Sequence, residues 1–185
     1  MLHAVKTMHR RPWLGVVISV VLAVVIYCSG DWVESALRPR SSLPATPENV
    51  WAAVQRESRA HGLDPAFVYA IVMAESSLRP HADSGYARGI MQLSRVAWNE
   101  VSDRPYREAW NWEKNIAVGV AYLAWCKTFL EKSNRFNYPR LAACYRYGPY
   151  RVRAERYDLN RLPQPNNRIY RELFAGNLRP VQPPG

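Results

Sequence analysis

Residues 64–94 read DPAFVYAIVMAESSLRPHADSGYARGIMQLS, and the first part of this stretch is a helix with an acid on its apolar side. Asp64-Pro65 is a helix start, with aspartate as the N-cap and proline at the first helical position. Val68, Ile71, Val72 and Glu75 then follow at i, i+3, i+4 and i+7, one face of a 3.6-residue period. Glu75 therefore falls on the apolar stripe. It also falls in the last turn, where the helix dipole disfavours negative charge. Burial and dipole both raise a carboxyl pKa. A carboxylic acid still protonated near neutral pH is suited to general acid catalysis. The plainer reading of Glu75 is a glutamate that reaches solvent as its helix ends.

Working outward, Pro80 and Gly85 break the pattern and supply turn geometry. Gly89-Ile90-Met91-Gln92 opens a further amphipathic run through Val96, Ala97, Trp98 and Val101. Upstream, Thr46-Pro47-Glu48 starts a first helix that Gly62 ends. Downstream, a long helix is predicted from about Trp112 to Lys132, another from Pro139 to Tyr147, and a closing helix around Ile169, Tyr170, Leu173 and Phe174. No strand alternation is sustained and no segment repeats. The expectation is an all-α fold, with one domain over 47–176 large enough for a real core. Residues 31–46 read as a linker and 177–185 as a Pro-rich tail.

Several of these pieces together resemble the catalytic core of the soluble lytic transglycosylases, family 23 of the glycoside hydrolases. That family carries a Glu-Ser pair, a serine nine residues after the acid, and a Gly-Leu-Met-Gln segment; here these are Glu75-Ser76, Ser84 and Gly89-Ile90-Met91-Gln92. Asn115-Ile116 with Gly119, Tyr122 and Leu123 resembles the family's Asn-Ile helix. Ala142-Ala143-Cys144-Tyr145-Arg146-Tyr147-Gly148-Pro149 resembles its Ala-Ala-Tyr-Asn-Ala-Gly-Pro segment. The match runs over roughly residues 48–152. The sequence departs from the pattern at Arg146, where the family has asparagine, and at Tyr147, where it has alanine. An arginine there allows three outcomes: an altered sugar subsite, an added contact to a peptide carboxylate, or a damaged site.

The resemblance implies a lysozyme-like arrangement and cleavage of peptidoglycan glycan strands. Glu75 would protonate the bond between N-acetylmuramic acid and N-acetylglucosamine, and would then deprotonate the muramic acid 6-hydroxyl to leave a 1,6-anhydro end. Ser84 would hydrogen-bond near the N-acetyl group or the acid, Tyr145 would orient the acid or the developing oxazoline, and Met91 and Gln92 would line the cleft. Each of these four also has an ordinary structural reading, as turn, cap or core residue. Most glycosidases use two carboxyl groups. Asp83 sits in a polar turn that favours an Asx role, and Glu100 belongs to a solvated helix face, so neither reads as a second one. A single acid fits a substrate-assisted mechanism in which the sugar's N-acetyl group replaces the missing carboxylate.

The N-terminus carries Lys6, Arg10 and Arg11, followed by an uncharged, largely aliphatic stretch over 13–30. Basic residues before an apolar run predict a single-pass inner-membrane anchor, with 1–12 cytoplasmic and the domain in the bacterial periplasm. A cleaved signal peptide is the second reading. From Asp31 onward there are 22 basic and 15 acidic residues, since all acids and all but three of the 25 lysines and arginines lie there, a balance of +7. Such a surface suits an anionic polymer such as the cell wall. Nucleic acid is disfavoured by the export signal and by the lack of any recognisable binding motif.

Cys126 and Cys144 lie on adjacent predicted helices, where a disulfide and two buried thiols are both open. The histidines (His3, His9, His61, His81) are scattered, so no metal or other cofactor is expected. A small anchored enzyme of this type resembles wall-opening components of secretion or conjugation machines, by analogy alone. Two other readings compete: a lysozyme-like hydrolase that uses water, and a non-catalytic wall-binding scaffold.

Overall fold

The computed structural model describes residues 38–185. The predicted anchor at 13–30 and Cys28 lie outside the described residues. Among those described, no helix is long and apolar enough to cross a membrane. The element order is α1 (Pro47–Ala60), α2 (Pro65–Ser76), β1 (Ala87–Arg88), β2 (Leu93–Ser94), α3 (Arg95–Val101), a 3-10 turn (Tyr106–Trp110), α4 (Trp112–Glu131), α5 (Tyr138–Tyr147), α6 (Pro149–Ala154), a second 3-10 turn (Leu159–Arg161) and α7 (Arg168–Phe174).

The predicted helix starts form as local chemistry dictates. Thr46 accepts from the Asn49 amide, and Asp64 accepts from the amides of Ala66 and Phe67. In each case a side-chain oxygen satisfies amides that the first turn leaves unpaired. Helix α2 is more deeply buried than a single stripe requires. Phe67, Val68, Ala70, Ile71 and Val72 are all fully buried, as befits a helix apolar on every side. It packs between α1 and α7, while α4 packs against α1, α3 and α5. Ile116, Leu123 and Leu130 of α4, Leu141 of α5, and Tyr170 and Leu173 of α7 complete the core.

The all-α expectation needs one correction: the fold is mostly helical, with a small hairpin. β1 and β2 pair antiparallel, Ala87 opposite Ser94 and Arg88 opposite Leu93. Two-residue strands cannot show an alternation, so periodicity has nothing to detect. The helical run expected from Gly89 begins only at Arg95, where Ser94 caps it by accepting from the Ala97 amide.

Residues 40–43, read as linker, are bonded to the start of α4. Asn111 Nδ2 donates to the Arg40 carbonyl at 2.7 Å, and the Trp112 amide donates to Ser41 Oγ at 3.1 Å. The Trp112 indole donates to the Leu43 carbonyl at 2.8 Å. At the other end, Arg179 of the tail lies 3.9 Å from the Asp64 carboxylate.

Candidate active site

Helix α2 ends at Ser76 because Ser77 and Leu78 both adopt the left-handed conformation, at φ 53° and 64°. Neither is glycine, so each costs conformational energy that surrounding contacts must offset. Ser76 supplies one such contact: its hydroxyl donates to the Ile90 carbonyl at 2.6 Å. Arg79 supplies another, its Nε donating to the Ser76 carbonyl at 2.9 Å. The chain therefore leaves α2 one residue after Glu75 and folds back over it.

The Glu75 side chain is 9% exposed. Burial raises its pKa above the ordinary carboxylate value, against two smaller opposing effects: the hydrogen bond from Tyr170 and the positive charge of Arg146. The Tyr170 hydroxyl donates to Oε1. Arg146 Nη1 lies 4.0 Å from Oε2. Asn167, the N-cap of α7, donates from Nδ2 to the Ala74 carbonyl at 3.1 Å. Helix α7 is thereby tied to α2 both at Glu75 and at the residue before it.

Asn115, fully buried on α4, organises the opposite wall. Its Oδ1 accepts from the Met91 amide at 2.8 Å. Its Nδ2 donates to the carbonyls of Arg88 and Ala109, each at 3.0 Å. Gly89 has φ +82°, and a Cβ there would stand 2.3 Å from Ala109 O and from Asn115 Nδ2. Glycine is needed for both the conformation and the approach. Gly119 plays the matching part on α4, since a Cβ there would lie 2.4 Å from Met91 Sδ. The Gly-Ile-Met-Gln turn is thus seated against α4, and Tyr145 closes it by donating to the Met91 carbonyl at 2.7 Å.

These elements enclose a cleft of about 1140 Å³, with Glu75, Ser84, Gln92 and Tyr145 among its lining residues. Ser84 Oγ accepts from the Ala87 amide at 3.1 Å. Gln92, at φ 49°, donates from Nε2 to the carbonyls of Ala82 and Gly89 at 2.8 and 3.0 Å. Met91 differs: its side chain is fully buried against Gly119, and its carbonyl faces Tyr145. Asp83 and Glu100 also line the cleft. Asp83 Oδ1 accepts from the Gly85 amide at 2.7 Å, an Asx turn. Among the described residues, neither carboxylate bonds to Glu75.

Sequence reasoning missed Tyr170 and Asn167 as parts of the site. Tyr170 was visible only as one member of an apolar cluster. A hydroxyl-tipped ring on a buried face, which must find a partner, was the available signal. Reasoning also passed over the aromatic strip along α4: Tyr122 and Trp125 stack at 5.8 Å, and Tyr150 meets Trp125 edge-on at 6.4 Å. All three line the cleft, where flat apolar rings suit the faces of sugars.

The family described as the transglycosylase SLT domain matches residues 52–163. Over 74 residues the chain is 38% identical to a membrane-bound lytic murein transglycosylase F from Desulfosudis oleivorans, covering 38% of this chain and 15% of that protein. The chain thus matches only about a seventh of that relative's length. Among solved structures, an inactive mutant of the lytic transglycosylase Slt from Pseudomonas aeruginosa superposes with a TM-score of 0.51 at 24% identity. That likeness covers 69% of this chain and 22% of the other, and it supports the fold.

Proposed function

Because the chain belongs to the transglycosylase SLT domain family, we propose that it is a lytic transglycosylase that cuts peptidoglycan strands with Glu75 as its one acid and base. The observation that carries this reading is a single buried carboxyl in a sugar-sized cleft, its pKa raised by burial and its Oε1 held by Tyr170. A relative named as a membrane-bound lytic murein transglycosylase supports it.

In the proposed reaction Glu75 gives its proton to the oxygen joining N-acetylmuramic acid to N-acetylglucosamine, and that C–O bond breaks. The N-acetyl carbonyl oxygen bonds to the anomeric carbon and holds the positive charge. Ionised Glu75 then takes the proton of the 6-hydroxyl. The 6-oxygen displaces the N-acetyl oxygen, and a 1,6-anhydro end results. Glu75 ends protonated, as it began, and no water enters. One group that serves as acid and then as base needs a pKa near the working pH, which burial promotes here. Tyr145 and the Met91 carbonyl it bonds, with Ser84 and Gln92, present polar atoms to the N-acetyl group. We place the domain on the cell-wall side of the inner membrane, on the strength of the basic-then-apolar segment at 13–30.

A hydrolase is the second reading, because Asp83 and Glu100 line the same cleft. Mass analysis of products from purified peptidoglycan decides between them, using the full chain beside Glu75→Gln. Anhydromuropeptides from the wild type alone are expected. Reducing-end products would move the protein to the hydrolases. Wall binding without any product would leave a scaffold.

A further inference from the structure

Arg146 and Tyr147 both depart from the family's pattern, and the fold accounts for only one of them. The Tyr147 hydroxyl donates to the Pro163 carbonyl at 2.7 Å, and its ring meets Phe174 edge-on at 6.1 Å. Tyr147 thus props the segment that delivers Asn167 and Tyr170.

Arg146 is held differently. Its guanidinium lies over the Tyr170 ring, 5.4 Å from the centroid, and its side chain is 43% exposed in the wall of the cleft. Its contact with Glu75 is 4.0 Å, beyond hydrogen-bond range. Among the described residues no hydrogen bond occupies its side-chain donors. A guanidinium beside an aromatic ring with its N–H donors unspent can receive a carboxylate in a two-pronged contact. Arg79, the other arginine of the cleft, spends its Nε on the Ser76 carbonyl.

We propose that Arg146 is a specificity-determining residue that receives a carboxylate of the bound glycan strand beside the bond to be cut. The inference rests on the peptidoglycan reading above and names the substrate feature that the site recognises. Two sources share this chemistry: the lactyl carboxylate of a muramic acid stripped of its peptide, and the carboxylates of an attached peptide stem. The arrangement also links recognition to acid strength. The groups facing Glu75 are Tyr170 from α7 and Tyr145 and Arg146 from α5, and of these only Arg146 is a cation. A substrate carboxylate on Arg146 offsets that positive charge, so substrate arrival favours the protonated acid that bond cleavage requires.

The test measures binding to the full chain by calorimetry in a Glu75→Gln background, which leaves the strands uncut, with Arg146 intact and with Arg146→Asn or Arg146→Lys. Three ligands of matched length serve as probes: peptide-bearing strands, strands stripped by an amidase, and an oligomer of N-acetylglucosamine, which has no carboxylate. Thermal melts establish that each variant folds. For Arg146→Asn the expected result is a loss of about tenfold in affinity for carboxylate-bearing strands, the scale of a charged hydrogen bond. Affinity for the neutral oligomer stays unchanged, and Arg146→Lys recovers part of the loss. A loss confined to stripped strands assigns the lactyl group, and one confined to peptide-bearing strands assigns the stem. An equal loss on all three ligands, or none on any, overturns the inference while a strand-cutting wild type keeps the function. A wild type that neither binds nor cuts strands overturns both.

Discussion

The hydroxyl of Tyr170 on α7 donates to the carboxylate of Glu75 on α2 across 95 residues of sequence. Helix α7 is short, and two hydrogen bonds tie it to α2: this one and the one from Asn167 to the Ala74 carbonyl. The C-terminal helix therefore closes the core and also aims the acid. The bond favours the ionised carboxylate and so moderates the rise that burial imposes.

Tyr170→Phe tests that relationship with little change in packing, because the ring contacts to Phe174 and Arg146 remain. Losing the donor moves the Glu75 pKa further upward. Cleavage needs the protonated acid, so the alkaline limb of the kcat/KM profile shifts to higher pH. A limb that stays put or moves to lower pH would show that the hydroxyl does not act on Glu75.

Glu75→Gln removes the proton donor and keeps the shape. Strand cleavage is expected to fall by about 10²–10⁴-fold, the usual share of general acid–base catalysis. Stability should move the opposite way. A folded-state pKa raised above the unfolded value gives stability that is full below the unfolded pKa and lost as pH rises through the folded one. The amide cannot ionise, so the variant melts above the wild type at neutral and alkaline pH, and the two converge on acidification. Melting curves across pH check the sign; a variant less stable at every pH would contradict it.

The opposite wall depends on Asn115 and Gly89. Asn115→Ala leaves the Met91 amide and two carbonyls without their buried partner. Unpaired buried groups cost about 1–3 kcal/mol each, so with three of them denaturant unfolding should show a loss of about 3 kcal/mol or more. Gly89→Ala forces a left-handed alanine against Ala109 and Asn115. A similar loss of about 2–4 kcal/mol is expected, from strain and overpacking together. Either variant near wild-type stability would mean that the turn is not seated on α4 as described.

What could be read in advance was what is local. The caps at Thr46 and Asp64 and the place of Glu75 on its helix follow from spacing alone. The cleft's polar contacts do not, because they join distant segments: Tyr170 to Glu75, Tyr145 to the Met91 carbonyl, Asn115 to the hairpin. Arg40 to Leu43 look like linker because of their polar neighbours and Pro44. They are ordered by hydrogen bonds to α4, about which local composition says nothing. Met91 shows the same limit from another side, since its position in the motif pointed to the cleft and Gly119 gives it a buried seat instead.

Cys126 and Cys144 offer a check that is independent of catalysis. Both are free and fully buried. Burial pushes the Cys144 thiol up to about 12, and Cys126 well above its ordinary value. The thiolate is the reactive form, so neither should react with an alkylating or disulfide reagent in the native protein at pH 8. Both should react promptly in denaturant without reductant. A Cys28→Ser background leaves only these two thiols to count. Fast labelling of the native state would contradict their burial. Two thiols that stay unreactive in denaturant until reductant is added would show a disulfide between α4 and α5, an outcome that adjacent helices permit and that this structure, with both sulfurs free, speaks against.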